Sequence, residues 1–350
     1  MLFTLLASAY AAEVTEMPPE LRGNVEIGYT GDFGFRTLEE KRQLVGNGMY
    51  QRHDLLFSGE FAPLKWLALN LVVPYTPSWS INWSEAYQMR YDPTNETGTY
   101  VGSEQINDGV KRTASGSEGV WFGAAVAPFS QSYGSGILHQ RVDWRLGLAY
   151  RTGNSHTMWS AVDGARGVAP GGGAWKINAA FSTTRGSAMP YLSVQAILEG
   201  KPVVMDIVDE DGTTWATGLS IDAASTFDVR GGVEITDAEI REGGYRFVWD
   251  VYCRFGYVTW QDVPSGIWLP TVLDASRGIT ITETDYVHGD LGMSAVIDVN
   301  HWAGFRLGVE GRYALPHRVE HPYPVFWSYD SFDVVAVAEL EGRIRDGKGK

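Results

Sequence analysis

The sequence predicts an all-β chain, a transmembrane up-and-down antiparallel β-barrel of about 12 strands. Three observations predict it. Runs of about ten residues alternate apolar and polar side chains, as in Arg246–Gly256 (RFVWDVYCRFG), the pattern of a strand with lipid on one face and a polar lumen on the other. No run approaches the roughly 18 consecutive apolar residues of a membrane helix. Connections alternate short and long along the chain, whereas a soluble sandwich mixes its loop lengths at both ends.

Residues 1–12 are expected to be an export signal. Leu2–Ala12 (LFTLLASAYAA) is apolar and closes on the small-residue pattern Ala9–Tyr10–Ala11, although no Lys or Arg precedes Leu2. Residues 13–350 are read as one barrel domain, with short turns on the periplasmic side, long extracellular loops and no room for a separate plug.

The strands follow in order. Asn24–Phe35 puts Val25, Ile27, Tyr29, Gly31, Phe33 and Phe35 on one face, and Glu26, Gly28, Thr30 and Asp32 on the other. His53–Phe61 and Trp66–Tyr75 form a hairpin through Ala62–Lys65, with Leu67, Leu69, Leu71, Val73 and Tyr75 on the apolar face. A polar stretch over 76–118 has little periodicity and is expected to be a loop. Strands resume at Val120–Phe129, Gln140–Arg151, Ala174–Phe181 and Pro190–Leu198. Lys201–Leu219 reads as a hairpin projecting beyond the membrane, because Asp211–Gly212 suits the positive backbone angles of a type I′ turn. Thr226–Ile235, Tyr245–Thr259, Tyr286–Val299, Trp302–Leu315 and Phe332–Arg345 complete the set. Short turns fall near 62–65, 130–137, 182–189, 236–243 and 299–302; long loops fall near 36–50, 76–118, 152–172, 199–223, 260–284 and 316–331.

Composition narrows the function classes. With 44% hydrophobic and 20% charged residues, the chain has enough apolar surface to fold. It holds 13 Trp and 17 Tyr against 14 Phe, a bias towards the amphipathic rings that settle at membrane–water boundaries. A formal charge of -14 argues against a nucleic-acid partner, which needs a basic stripe, and against docking on anionic lipid through Lys/Arg clusters. The single cysteine, Cys253, permits no intrachain disulfide. Between Val251 and Phe255 it is expected to be a small buried hydrophobe.

If the apolar face meets lipid, the alternate positions line the lumen. The candidates are Glu60, Arg145, Arg230, Glu234, Arg246, Asp250, Arg254, Asp290, Arg306, Glu310, Arg312, Glu339 and Glu341, with Asp143, Asp228, His288, Asp298, Arg343 and Arg345 on the same faces. Both signs are mixed. So many charges are costly in a dry core unless paired, but in a wide barrel they pair across the lumen or meet water. They are either a structural ladder that fills the lumen or the lining of a solute path.

The hairpin His53–Tyr75 (HDLLFSGEFAPLKWLALNLVVPY) resembles the recurrent hairpin of Gram-negative outer-membrane transport-type barrels, where a strand with Gly and Glu turns tightly into one ending apolar-Pro-aromatic. The resemblance implies a porin-like protein in the outer membrane, in contact with its lipid and lipopolysaccharide and inserted by the barrel-assembly machinery. It implies passage of small solutes, hydrophobic or amphipathic compounds among them. Such chains usually end on an aromatic residue. Here the end from Arg345 to Lys350 is polar, which leaves Ile344 as the terminal apolar residue.

Other chemistry has less support. The seven histidines form no H-E-x-x-H and meet no Cys cluster, so no metal and no cofactor is expected. His317 and His321 are four apart, but Pro316 and Pro322 disfavour a helix that would present both. Asp206, Asp209, Asp211 and Gly212 lack calcium-loop spacing. Gly171–Gly173 opens a strand without a following Lys-Ser/Thr. Two alternatives remain open. One is a barrel hydrolase using His53–Asp54 or His288/Asp290 as an acid/base pair, although no G-x-S-x-G accompanies them. The other is a soluble exported β-sandwich that binds ligand through aromatic loops.

Overall fold

The computed structural model describes residues 15, 17–18, 20–40, 43–91, 100–106, 110–117, 119–130, 138–139, 142–154, 156–160, 164–166, 171–183, 187–200, 203–208, 214–240, 245–264, 280–298, 303–320 and 325–344. The expected export signal, the Asp211–Gly212 turn and the polar end from Arg345 lie outside the described residues. Among the described residues there is no helix.

Twelve strands form the barrel: β1 (Arg22–Glu40), β2 (Gln43–Leu64), β3 (Leu67–Tyr91), β4 in two pieces (Val110–Ser117 and Trp121–Val126), β5 (Asp143–Asn154), β6 (Gly171–Ser182), β7 (Ala188–Glu199), β8 (Thr226–Ile240), β9 (Tyr245–Val258), β10 (Tyr286–Asp298), β11 (Ala303–Ala314) and β12 (Val325–Ile344). Each pairs antiparallel with the next, and β1 pairs antiparallel with β12 from Gly23↔Ile344 upward, which closes the sheet. Closure gives every strand two neighbours, the condition for a sheet in hydrocarbon, where an edge would leave unpaired N–H and C=O groups. The pieces of β4 meet at Gly119, whose φ of +93° and approach to Thr152 O leave no space for a Cβ.

The strands reach further than the apolar alternation. The expected loop at 36–50 is hairpin, since β1 runs to Glu40 and β2 starts at Gln43. The expected loop at 76–118 is strand to Tyr91, then Tyr100–Ile106 and Val110–Ser117. Beyond the apolar belt both faces of a ladder meet polar surroundings, so the two-sided alternation fades while backbone pairing continues. The expected hairpin near Lys201–Leu219 is present as Val203–Val208 paired with Thr214–Ile221.

The outer surface is apolar. Each strand of the barrel exposes at least one large hydrophobic side chain, from Val25 and Ile27 on β1 to Leu340 on β12, with Leu291 at 72% the most exposed. Aromatic rings gather at both ends of this belt. Tyr150 packs on Trp175 and Phe227 on Tyr257 towards the long connections, at ring separations of 5.0 and 6.3 Å. Trp144 sits between Phe129 and Phe181 towards the short turns, and Phe247 meets Trp249 at 5.0 Å. From Trp249 to Tyr257 is about 27 Å along β9 at ~3.4 Å per residue, which strand tilt reduces to roughly 20 Å, near the height of the apolar band of an outer-membrane barrel. A soluble sandwich would hide this face; here Trp249 and Phe255 are exposed and the Asp250/Arg254 face is buried. The chain is a β-barrel of the outer-membrane type.

Cys253 corrects one expectation. It lies half-buried on the outward face between the exposed Val251 and Phe255, with Sγ 3.7 Å from Gly231 O. Alternation had placed it with the apolar residues, but in a barrel that face is covered by lipid and not by protein.

Inside, large rings need small partners. Tyr191 lies across Gly232, its register partner, where an added Cβ would come 2.5 Å from the hydroxyl. Tyr252 lies across its partner Gly292, where a Cβ would come 2.2 Å from the ring. At the short-turn end the chain before β1 crosses the mouth: Thr15 Oγ1 is 2.6 Å from Ser182 Oγ on β6, and Met17 packs with Ala62, Ala68 and Ala127.

Substituting Leu291→Arg is expected to reduce the free energy of folding into lipid vesicles by about 2–4 kcal/mol. The same change on a water-facing surface would stay within about 0.5 kcal/mol. Denaturant titration in vesicles reads the difference, and a near-neutral result would remove lipid from that face.

Candidate functional site: the charged lumen

Inward positions of neighbouring strands line up in hydrogen-bonded rows. One row runs Arg145, Ala180, Ser193, Arg230, Arg254, Asp290, Arg312, Asp333 from β5 through β12. The adjoining row on the long-connection side runs Gly147, Asn178, Gln195, Asp228, Gly256, His288. Charge is dense at one end of these rows and side chains are small at the other, so the two halves of the lumen differ.

The dense half is built on β9–β12 and β1. Arg254 is held by Asp290 and by Glu310, whose Oε1 is 2.6 Å from Nη2. Arg312 meets Glu310 Oε1 at 3.0 Å, Asp290 Oδ1 at 3.3 Å and Asp32 Oδ2 at 3.7 Å. His288 Nδ1 is 3.0 Å from Asp290 Oδ1, and Tyr252 donates to Glu310 Oε2 at 2.7 Å. Arg254 and Arg312 are each 2% exposed. Two guanidiniums sharing two carboxylates satisfy several donors at once, which offsets the cost of burying these ions.

A second knot adjoins it. Arg230 Nη2 pairs with Asp250 Oδ2 at 2.8 Å, and Arg230 Nε donates to Tyr191 Oη at 3.0 Å, while Tyr191 donates to Asp250 Oδ1 at 2.8 Å. Arg230 is the register partner of Arg254. The like charges are tolerated because Arg230 leans away, with Cζ 3.4 Å from the centre of the Tyr252 ring.

The structure therefore brings Arg254, Asp290, Glu310 and Arg312 together, with Arg230 and Asp250 beside them. Glu234 is buried and in register with Asp250. Arg306 pairs with Glu339 at 2.9 Å towards the short turns, and Arg145 pairs with Glu60 at 2.5 Å on the opposite wall. The side chains of Arg246 and Glu341 lie outside the described residues.

Sequence reasoning missed several inward groups, and named Asp54 only as a partner of His53. Arg52 and Asp54 pair at 2.7 Å, and Thr76 donates to Asp54 at 2.5 Å. They sit where β3 slips register between His53 and Leu55, and a register slip leaves no periodic signal. Arg151, fully buried and 2.7 Å from Glu199, and Lys176 both lie over the buried Trp121 ring, at 5.4 and 5.0 Å. Alternation from Arg145 reaches Arg151, so that residue was within reach of the method.

The acid/base pairs separate. His53 Nδ1 is 2.6 Å from the Tyr29 hydroxyl and its ring packs on Phe33, both outward-facing residues, whereas Asp54 binds the inward Arg52. His288 and Asp290 do meet, inside the ion network. Among the described residues no group of three or more His, Cys, Asp or Glu is arranged to hold a metal.

On the β3–β7 side the inward residues shrink to Ala125, Ala149, Ala180 and Ser193, and a cavity of about 70 Å³ opens between them. Asn70, Arg145, Lys176, Asn178, Gln195 and Asp228 supply its polar lining, and Arg230 and Arg254 border the ion network. At roughly 10–15 Å³ per water this space holds several.

No family model and no curated protein matches the chain. Solved structures with a similar course include an outer-membrane channel from Pseudomonas putida F1, at 7% identity and a TM-score of 0.47, covering 95% of this chain and 98% of that one. A FadL homologue from Pseudomonas aeruginosa aligns at 8% identity and a TM-score of 0.39, over 92% of this chain and 89% of that one. The outer-membrane protease OmpT from Escherichia coli aligns at 8% identity and a TM-score of 0.33, over 92% and 97%.

Replacing Arg254 alone by Met should lower unfolding free energy by about 3–5 kcal/mol, because Asp290 and Glu310 are left buried and short of a partner. Guanidinium titration of the refolded protein in detergent micelles measures it. A loss below about 1 kcal/mol would mean that water already screens this cluster.

Proposed function

We propose that the barrel is a transport-type channel for small solutes, with the cavity as part of its route and the ion network as its closed section. The observation that carries this reading is the asymmetry of the lumen. A soluble-protein core would fill both halves, and a purely structural ladder has no use for a row of Ala and Ser facing Asn, Gln and Lys. The mixed Arg and Asp/Glu lining suits polar or amphipathic solutes, which exchange their water for fixed charges of both signs. Passage requires the knot around Arg254, Glu310 and Arg312 to part. The guanidiniums have alternative acceptors nearby in Asp32 and Asp228, so a rearranged network retains partners.

Planar bilayer recording tests the reading. The wild-type barrel is expected to show small, intermittent conductance. The combined variant Arg254→Gln, Arg312→Gln, Asp290→Asn, Glu310→Gln, which removes two positive and two negative charges, is expected to show steady and larger conductance. If both forms insert as folded barrels, shown by heat-modifiable migration on gels, and neither passes current nor admits solutes into liposomes, the channel reading is wrong.

A further inference from the structure

Asp228 lines the cavity, is 4% exposed, and neither of its carboxylate oxygens accepts a hydrogen bond from a described residue. His288 Nε2 stands 3.7 Å from Oδ1, outside hydrogen-bond reach. Gly256, the register partner of Asp228 on β9, makes room for the His288 ring beside that carboxylate, since an added Cβ would lie 2.0 Å from His288 Nε2 and 2.7 Å from Asp228 Oδ1. On the other side the register partner is Gln195, whose Nε2 is buried and donates to no described acceptor. Directly opposed side chains on antiparallel strands stand about 4.5–5.5 Å apart at Cβ. An unused double acceptor and an unused donor therefore sit next to each other on one wall.

Burying these groups unsatisfied is costly, and the charges around them restrict what relieves the cost. Arg145, Lys176, Arg230 and Arg254 also line the space. A simple cation drawn to Asp228 would also meet the charge of Lys176, while Arg145, Arg230 and Arg254 are already paired with Glu60, Asp250, Asp290 and Glu310. A simple anion drawn to Lys176 would meet the negative charge of Asp228. A solute carrying both signs close together escapes both penalties. The cavity volume of about 70 Å³, between the short side chains of Ala125, Ala149 and Ala180, admits only a small solute.

Resting on the channel reading above, we propose that this cavity is a binding station for a small α-amino-acid-like zwitterion. Its ammonium group donates to Asp228. Its carboxylate accepts from Gln195 Nε2 and lies in the field of Lys176 and Arg145. The cavity selects by charge pairing on adjacent strands, and its volume limits size.

Uptake into proteoliposomes holding the full-length protein tests this with four probes: glycine, alanine, acetate and methylamine. Glycine and alanine should enter at least about tenfold faster than either single-charge probe, a difference of about 1.4 kcal/mol in recognition. Asp228→Asn and, separately, Gln195→Leu should each lower glycine uptake about tenfold, with folding checked by heat-modifiable migration. If Asp228→Asn does not fold, Gln195→Leu and the wild-type probe ranking still decide. Equal entry of all four probes, a preference for methylamine or acetate, or unchanged glycine uptake in a folded variant overturns the proposal while leaving the channel reading intact. Entry of no probe together with no potassium chloride current removes the channel reading as well.

Discussion

Closure of β1 on β12 is the constraint from which the rest of this structure follows. In hydrocarbon a strand edge has no solvent to bond, so the sheet must return to itself, and once it does its two faces have opposite fates. The outer face meets lipid and takes Leu, Val, Phe and Trp. The inner face receives every residue that alternation sends the other way, charged or not. A soluble fold sends its charges outward; a barrel of this length has nowhere to send them except towards one another. The Arg254–Asp290–Glu310–Arg312 cluster is the result. It is as much a consequence of the sealed edge as the apolar belt is.

That constraint also explains what was legible in the sequence. Side-chain alternation depends on strand geometry alone, so the faces of β1, β3, β9, β10 and β11 could be assigned without knowing their neighbours. The inward set from Arg230 to Arg312 followed from the same period. What alternation cannot supply is height, the position of a residue relative to the next strand. The Arg52–Asp54–Thr76 group depends on a register slip, and the Asp228–Gln195 neighbourhood depends on β7 pairing with β8 at one offset out of several. Those relations arise from long-range pairing and have no local signature. Strand ends were misjudged for a different reason: beyond the membrane the ladder of β1 and β2 persists in polar residues such as Asn47 and Gln51, where no apolar stripe marks it. Cys253 was placed on the correct face, but whether that face is dry protein or lipid is a property of the assembled sheet.

The two halves of the lumen divide stability from permeability. Around Arg254 the interior is filled with ions that hold one another, so rigidity there comes from many partners per charge. Across the barrel, Ala149, Ala180 and Ser193 fill little space, and the wall keeps polar groups that no neighbour uses. A lumen satisfied throughout would be a plug made of side chains. One that is filled with paired ions on one wall and lined by small side chains on the other keeps its shape and still has room for a visitor.

The rings of Tyr191 and Tyr252, each laid over the glycine opposite, bear on how the barrel finds its own alignment. A slip of one residue between β9 and β10 would turn Arg254 towards lipid, and membrane insertion alone rejects it. A slip of two residues keeps every side chain on its proper face and so escapes that filter. It would, however, drive the Tyr252 ring into Ser294 or Asp290 instead of the open space at Gly292, and set Arg254 opposite a glycine or a histidine instead of a carboxylate. Tyrosine over glycine thus works as a key in a lock cut at one height. It rejects, during assembly, the misalignments to which the surrounding lipid is blind.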